Sequence, residues 1–237
     1  MRALMIIIAL ILPLTASAQF RVGVNMGYGS YAQKELTKFM IAVRNDLNVD
    51  AKLVESFPSY YNASINGYHI VGQLNWGVSI TWGATGGRVS YKDFSGSIRR
   101  DMLVSYWSFG IPVGWTINPD DPWKLTLEAT TYYNTTHARY SSELKVADQR
   151  NWDENDLFSL NFAVQPAIYV TREIGRFGFH LKGGYNITWL KGYLAEDGAT
   201  DVFKYNNEKI SADWNGYRVE AGVSIFLGRK DDATSEE

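Results

Sequence analysis

From Phe20 onward the chain alternates. Phe20, Val22, Val24, Met26 and Tyr28 are apolar and Arg21, Gly23, Asn25 and Gly27 stand between them, the period of two that marks a strand with two different faces. Between Tyr68 and Ala84, Ile70, Leu74, Trp76, Val78, Ile80 and Trp82 share one parity, with His69, Gln73, Asn75, Ser79 and Thr81 on the other. That stretch is long enough for two strands, with a tight turn expected at Asn75-Trp76-Gly77; one long strand turning at Thr85-Gly86-Gly87 is the alternative. A fourth apolar face runs through Leu103, Trp107, Phe109, Ile111, Val113, Trp115 and Ile117 and stops at Asn118-Pro119-Asp120-Asp121-Pro122, a run of turn formers. Its hairpin partner is Leu125, Leu127, Ala129, Thr131 and Tyr133. Three more faces follow, Phe158 to Val170, Phe177 to Trp189 and Tyr217 to Leu227. The pattern predicts eight strands whose connections alternate, long after the odd strands and short after the even ones. That is the rhythm of an outer-membrane barrel with tight periplasmic turns and longer extracellular loops.

A soluble β-sandwich also alternates, so the second face decides. It holds Gly23, Asn25, Ser108, Gly110, Thr126, Thr130, Ser159, Asn161, Gly178, Gly184, Gly222 and Ser224, small residues suited to the narrow interior of an eight-stranded barrel. A solvated sheet would carry more Lys and Glu there. The expected fold is therefore all-β, an eight-stranded antiparallel transmembrane barrel with its apolar face outward.

The first residues agree with export. Arg2 precedes an apolar run from Ala3 to Leu14 and then Thr15-Ala16-Ser17-Ala18, the order of a secretory signal peptide with a small-x-small cleavage site. This places a signal peptide at 1–18, the barrel at 19–228 from Gln19, and a charged tail at 229–237. Beyond Ala18 no stretch of 18 or more apolar residues occurs, as a membrane-spanning helix would need. There is no cysteine, hence no disulfide framework or thiolate metal site. The net charge of -2 with interspersed signs lacks the basic stripe of a nucleic-acid binder. No cofactor is implied, and the oligomeric state is open.

Charges on the inward face must pair, because the lumen of so small a barrel is dry. Arg21, Lys182 and Arg218 can be balanced by Glu128 and Glu220, with His180 nearby, as an ion-pair plug. Aromatic residues make up 14% of the chain, and Tyr28, Trp107, Trp115, Trp123, Trp189, Trp214 and Tyr217 fall near strand ends, where interfacial girdles are expected.

Little else carries chemistry. His69, His137 and His180 lie on three different strands without metal-ligand spacing. His137 with Ser141, Ser142 and Glu143 is the best cluster for a surface hydrolase, but it fits no known catalytic pattern, and no enzymatic activity is inferred. Between Tyr31 and Asn48, Leu36, Phe39, Met40, Val43 and Leu47 recur at helical spacing, predicting an amphipathic helix in the first long loop, over 32–48. Tyr91 to Asp101, Lys145 to Asp156 and Glu196 to Asp213 read as loops.

Val104-Ser105-Tyr106-Trp107-Ser108-Phe109-Gly110-Ile111-Pro112-Val113 resembles the fourth-strand motif of the PorT-like outer-membrane β-barrel family. Trp82-Gly83-Ala84-Thr85-Gly86-Gly87, Phe20-Arg21-Val22-Gly23-Val24 and Gly222-Val223-Ser224-Ile225-Phe226 extend the likeness over nearly the whole mature chain. The resemblance implies an eight-stranded barrel in a Gram-negative outer membrane with a secretion-accessory, structural or interaction role. The chain departs from outer-membrane barrels that end at an aromatic residue, since Phe226 is followed by Leu227, Gly228 and a charged tail. A narrow porin-like channel and a surface hydrolase are the alternatives. The partners expected are outer-membrane lipid and a protein reached through extracellular loops.

Overall fold

A computed structural model describes residues 19–31, 33–196 and 202–227; the expected signal peptide and the tail at 229–237 lie outside them. The strands are β1 (Gln19–Tyr31), β2 (Lys52–Ser56), β3 (Tyr60–Val71), β4 (Leu74–Lys92), β5 (Gly96–Thr116), β6 (Trp123–Val146), β7 (Gln149–Ile174), β8 (Phe177–Leu190), β9 (Ala195–Glu196), β10 (Lys204–Tyr205), β11 (Glu208–Lys209) and β12 (Gly216–Leu227), with one helix, α1 (Lys34–Asn45). Eight of them, β1, β3 to β8 and β12, form a closed antiparallel ring in chain order. β12 pairs with β1 from Phe20↔Leu227 to Tyr31↔Gly216 and closes it.

The eight-stranded barrel matches the periodicity, with one displaced turn. β3 and β4 are joined by Gly72-Gln73, three residues before the expected Asn75-Trp76-Gly77. Gly72 sits at φ +59, a conformation glycine adopts without Cβ strain. Because Val71 pairs with Leu74, both point outward and the parity resets at the turn. Tyr68 therefore enters the lumen. His69, expected on the inward face, lies on the outer wall between Phe20 and Trp76, with ring centroids 4.8 and 5.1 Å away.

The second difference is height. At the short-turn end, Gly175-Arg176 joins β7 to β8 and residues 117–122 join β5 to β6. At the other end, 91–101 and 145–156 are not loops: β4–β5 and β6–β7 continue as paired strands up to Lys92↔Ser97 and Val146↔Gln149. β2 adds to the upper part of β4 with a bulge between Leu53 and Glu55.

These raised strands enclose a conventional core. Leu36, Phe39, Met40 and Val43 of α1 are buried as the helical spacing requires, and Leu47 packs beside them. They meet Val89 of β4, Met102 and Val104 of β5, Ala138 of β6, Leu157 of β7, and Leu194, Ile210 and Trp214 from the last long connection. α1 and residues 202–215 thus form a cap over the barrel mouth.

Candidate functional site

Below the cap the interior of the ring is mainly polar, with Phe226, Ala163 and Ala167 as apolar residues on the inward face. At the short-turn end Asn75 Nδ2 donates to Thr116 Oγ1 at 2.8 Å, and the Thr116 and Thr126 hydroxyls lie 2.8 Å apart. Lys124 pairs with Glu173 at 2.7 Å. Above them the Arg21 guanidinium lies between the rings of Tyr68 and Tyr169, 4.3 and 4.9 Å from their centroids, a cation–π sandwich.

The middle of the lumen holds two ion pairs. Lys182 Nζ reaches Glu128 Oε1 at 2.6 Å, and the same carboxylate accepts from Tyr68 Oη at 2.9 Å and Thr130 Oγ1 at 3.0 Å. Arg218 pairs with Glu220 and donates to Thr81 Oγ1 at 3.1 Å. All four charged groups are buried, so each pair must supply what water no longer does. The extra hydroxyl donors on Glu128 are the kind of satisfaction that such a pair needs.

The expected network is thus largely assembled, with two changes. Arg21 has no carboxylate within salt-bridge distance among the described residues and is held by aromatic faces instead. His180 meets no acid: its Nε2 bonds Asn25 Oδ1, and its ring stacks on Tyr169 at 4.8 Å. Tyr68, Tyr169, Thr81 and Thr130 join the network without having been expected there. For Tyr68 the missing signal was the turn at Gly72, since parity counted back from Val71 turns it inward.

Small residues make room for this filling. A Cβ at Gly222 would stand 2.2 Å from Asn25 Oδ1 and 2.5 Å from His180 Nε2. At Gly110 it would stand 2.6 Å from the Tyr132 ring.

Toward the mouth, Asn134 Nδ2 donates to Asn161 Oδ1 at 2.7 Å, and Ser108 bonds Asn134. Trp214 closes this layer. Its Nε1 donates to Thr136 Oγ1 at 2.8 Å, and its ring lies 4.4 to 5.8 Å from those of Tyr106, Tyr31 and Tyr60. Trp214 is 2% exposed, which corrects its assignment to the interfacial girdle. It lies on a connection that folds back into the mouth, a path that no strand pattern reveals.

The other six girdle residues do point outward. Tyr28, Trp107, Trp115, Trp123, Trp189 and Tyr217 are exposed. Trp107 stacks on Trp82 at 5.7 Å, and Tyr217 meets Tyr185 edge-on at 4.9 Å. Between them the outer wall is mainly Val, Ile, Leu and Phe, with Met26 and Trp76 among them. Trp107 and Trp115 are eight residues apart on β5, which at ~3.3 Å per residue and the tilt usual in such barrels corresponds to a belt roughly 20 Å high or slightly more.

The hydrolase cluster does not assemble. Ser141 is four residues along β6 from His137, roughly 13 Å at strand rise, and His137 Nε2 meets Asp156 of β7 at 2.9 Å while its ring stacks on Phe158. Arg139 joins at 3.0 Å, and its hydrogen bond, reinforced by His137, holds the Asp156 carboxyl below its ordinary pKa. On the neighbouring hairpin, burial opposes ionisation of Asp101, but Arg88 and Arg99 outweigh it and lower its pKa. Among the described residues no group of three or more His, Cys, Asp or Glu is placed to hold a metal.

No protein-family model matches the sequence, and no curated protein does. The fold is similar to that of Neisserial surface protein A at 13% identity, over 88% of this chain and 98% of that one with a TM-score of 0.45. It is also similar to the outer membrane protein OprG from Pseudomonas aeruginosa at 11% identity, over 90% and 97% with a TM-score of 0.47. For Ail, the attachment invasion locus protein of Yersinia pestis, the figures are 10%, 89%, 97% and 0.37. The likeness is one of general barrel shape. The strand ring, the filled lumen and the outer belt described above are the chain's own.

Proposed function

We propose that this chain is a closed barrel of a Gram-negative outer membrane that serves as a structural or interaction element through its cap, rather than as a pore or a hydrolase. The observation that carries this reading is the packing of the lumen with side chains from the Asn75–Thr116–Thr126 layer to Trp214, with a cavity of about 20 Å³, too small for a conducting path, at the short-turn end. The belt of exposed Val, Ile, Leu and Phe supports the membrane location, because a water-soluble protein rarely exposes so large an apolar area. Lipid is then the partner of the belt. The cap, with its charged outer surface and apolar core, is the part offered to a protein partner. An accessory role in secretion is the finer reading that the PorT-like resemblance favours.

The test is conductance in planar bilayers, after heat-modifiability on a gel has verified that the barrel is folded and inserted. The expected result is silence with the cap intact. Discrete conductance steps would replace this reading with that of a narrow channel.

A further inference from the structure

The buried charges of the lumen do not cancel. Arg21, Lys182 and Arg218 face Glu128 and Glu220, all 5% exposed or less; the Lys124–Glu173 pair beside them, with side chains 23% and 6% exposed, adds one charge of each sign, which leaves one positive charge in excess. That charge falls on Arg21. The other two cations have carboxylate partners, whereas Arg21 has none within salt-bridge distance among the described residues, and its Nε finds no hydrogen-bond partner. Two tyrosine faces attract a guanidinium but do not replace the hydration it has lost.

A small polar cavity of about 20 Å³ adjoins Arg21 at the short-turn end of the lumen and is also lined by Asn75, Lys124, Thr171 and Glu173. It has room for roughly one species the size of a water molecule. Two of its lining residues carry further unpartnered atoms, Thr171 Oγ1 and Asn75 Oδ1, and are 1% and 3% exposed. Lys124 pairs with Glu173 at 2.7 Å, whereas Arg21 brings to the cavity a charge with no carboxylate within salt-bridge distance among the described residues.

We propose that this cavity binds a small monovalent anion, chloride being the simplest, as the counterion of Arg21. The donors are Arg21 Nε and the Thr171 hydroxyl. The Asn75 amide can turn over to add its Nδ2, because Thr116 Oγ1 then donates to Oδ1 in place of accepting from Nδ2. The bound anion brings the buried charge of the lumen to zero and ties β1, β4 and β7 together through Arg21, Asn75 and Thr171.

The test uses the full mature chain refolded in detergent, so it does not depend on where the barrel resides. Crystals grown in bromide are expected to show an anomalous peak in the cavity. Urea midpoints are expected to be higher in sodium chloride than in sodium gluconate at equal ionic strength. Arg21→Met should abolish that difference, and Thr171→Val, which keeps the charge, should weaken the apparent chloride affinity about tenfold. If Arg21→Met does not fold, the bromide peak and Thr171→Val still decide. Equal midpoints in the two salts, or density at the site without anomalous signal, would overturn the proposal and replace the anion with a water linking Arg21 to Glu173.

Discussion

Along β5 the inward side chains change character partway up. Thr116, Gly114, Gly110 and Ser108 face the lumen, and Tyr106, Val104 and Met102 face the cap. β7 does the same, passing from Thr171, Gln165, Asn161 and Ser159 to Leu157. The outward face reverses in the opposite sense, from Trp115, Val113, Ile111 and Phe109 to Asp101 and Arg99 on β5, and from Ile168 and Leu160 to Asp156 on β7. One set of strands therefore encloses two interiors of opposite polarity. Where the outside is apolar, the interior can be polar and held by ion pairs and hydrogen bonds; where the outside is charged, the interior is a core of the ordinary kind. The level of this inversion, near Trp107, is where the proposed membrane boundary lies.

The difference predicts unlike responses to mutation. The largest effect is expected in the lumen. Lys182→Met leaves Glu128 buried without its cation and should cost about 3–5 kcal/mol in urea unfolding from detergent, and the double variant with Glu128→Gln should recover most of it. If the single and double variants are equally unstable, the pair is not the source of the loss. Trp214→Ala should cost a comparable ~3–5 kcal/mol, but locally. Hydrogen exchange should rise over α1 and residues 202–215, while the barrel keeps its heat-modifiable mobility; loss of that mobility would mean that the two interiors fold as one unit.

Crowding in the lumen ranks next. Gly222→Val places side-chain atoms against Asn25 and His180 and should destabilise by about 1–3 kcal/mol. A neutral result would show more free space around His180 than its contacts imply.

The smallest effect is that of pH on the cap. Asp101 and Asp156 have folded pKa values below the ordinary carboxylate value, so their contribution is present above about pH 4 and is lost as pH falls through the lowered values. Exchange along the raised β4–β5 and β6–β7 hairpins should increase in that acidic range ahead of any change in the barrel. The same onset in both regions would remove the distinction.

Much of this was legible beforehand because a strand barrel repeats a local rule. Alternation in segments such as Phe177 to Trp189 assigned inward and outward faces correctly, and it placed Lys182, Arg218, Glu128 and Glu220 in one lumen. It failed where the rule is not local. At Val71–Leu74 a turn of two residues reset the parity, and Tyr68 and His69 exchanged faces. In the upper hairpins the apolar alternation lapses: 145–156 is mostly polar, with Val146 and Trp152 exposed, and the buried apolar residues Met102 and Leu157 lie just beyond the two stretches, so an apolar-outside pattern read them as loops.

The sequence by itself determined the eight strands of the ring, their antiparallel order, the outward belt and the helix, since each follows from side-chain periodicity within a short window; the short strands β2, β9, β10 and β11 were not anticipated. Only the tertiary structure decided which charges pair across the lumen, that Arg21 rests between Tyr68 and Tyr169, and that Trp214 turns inward to seal the mouth. Those contacts join residues far apart in the chain, such as Lys182 with Glu128, and depend on barrel closure and on where a long connection folds back, which no local pattern encodes.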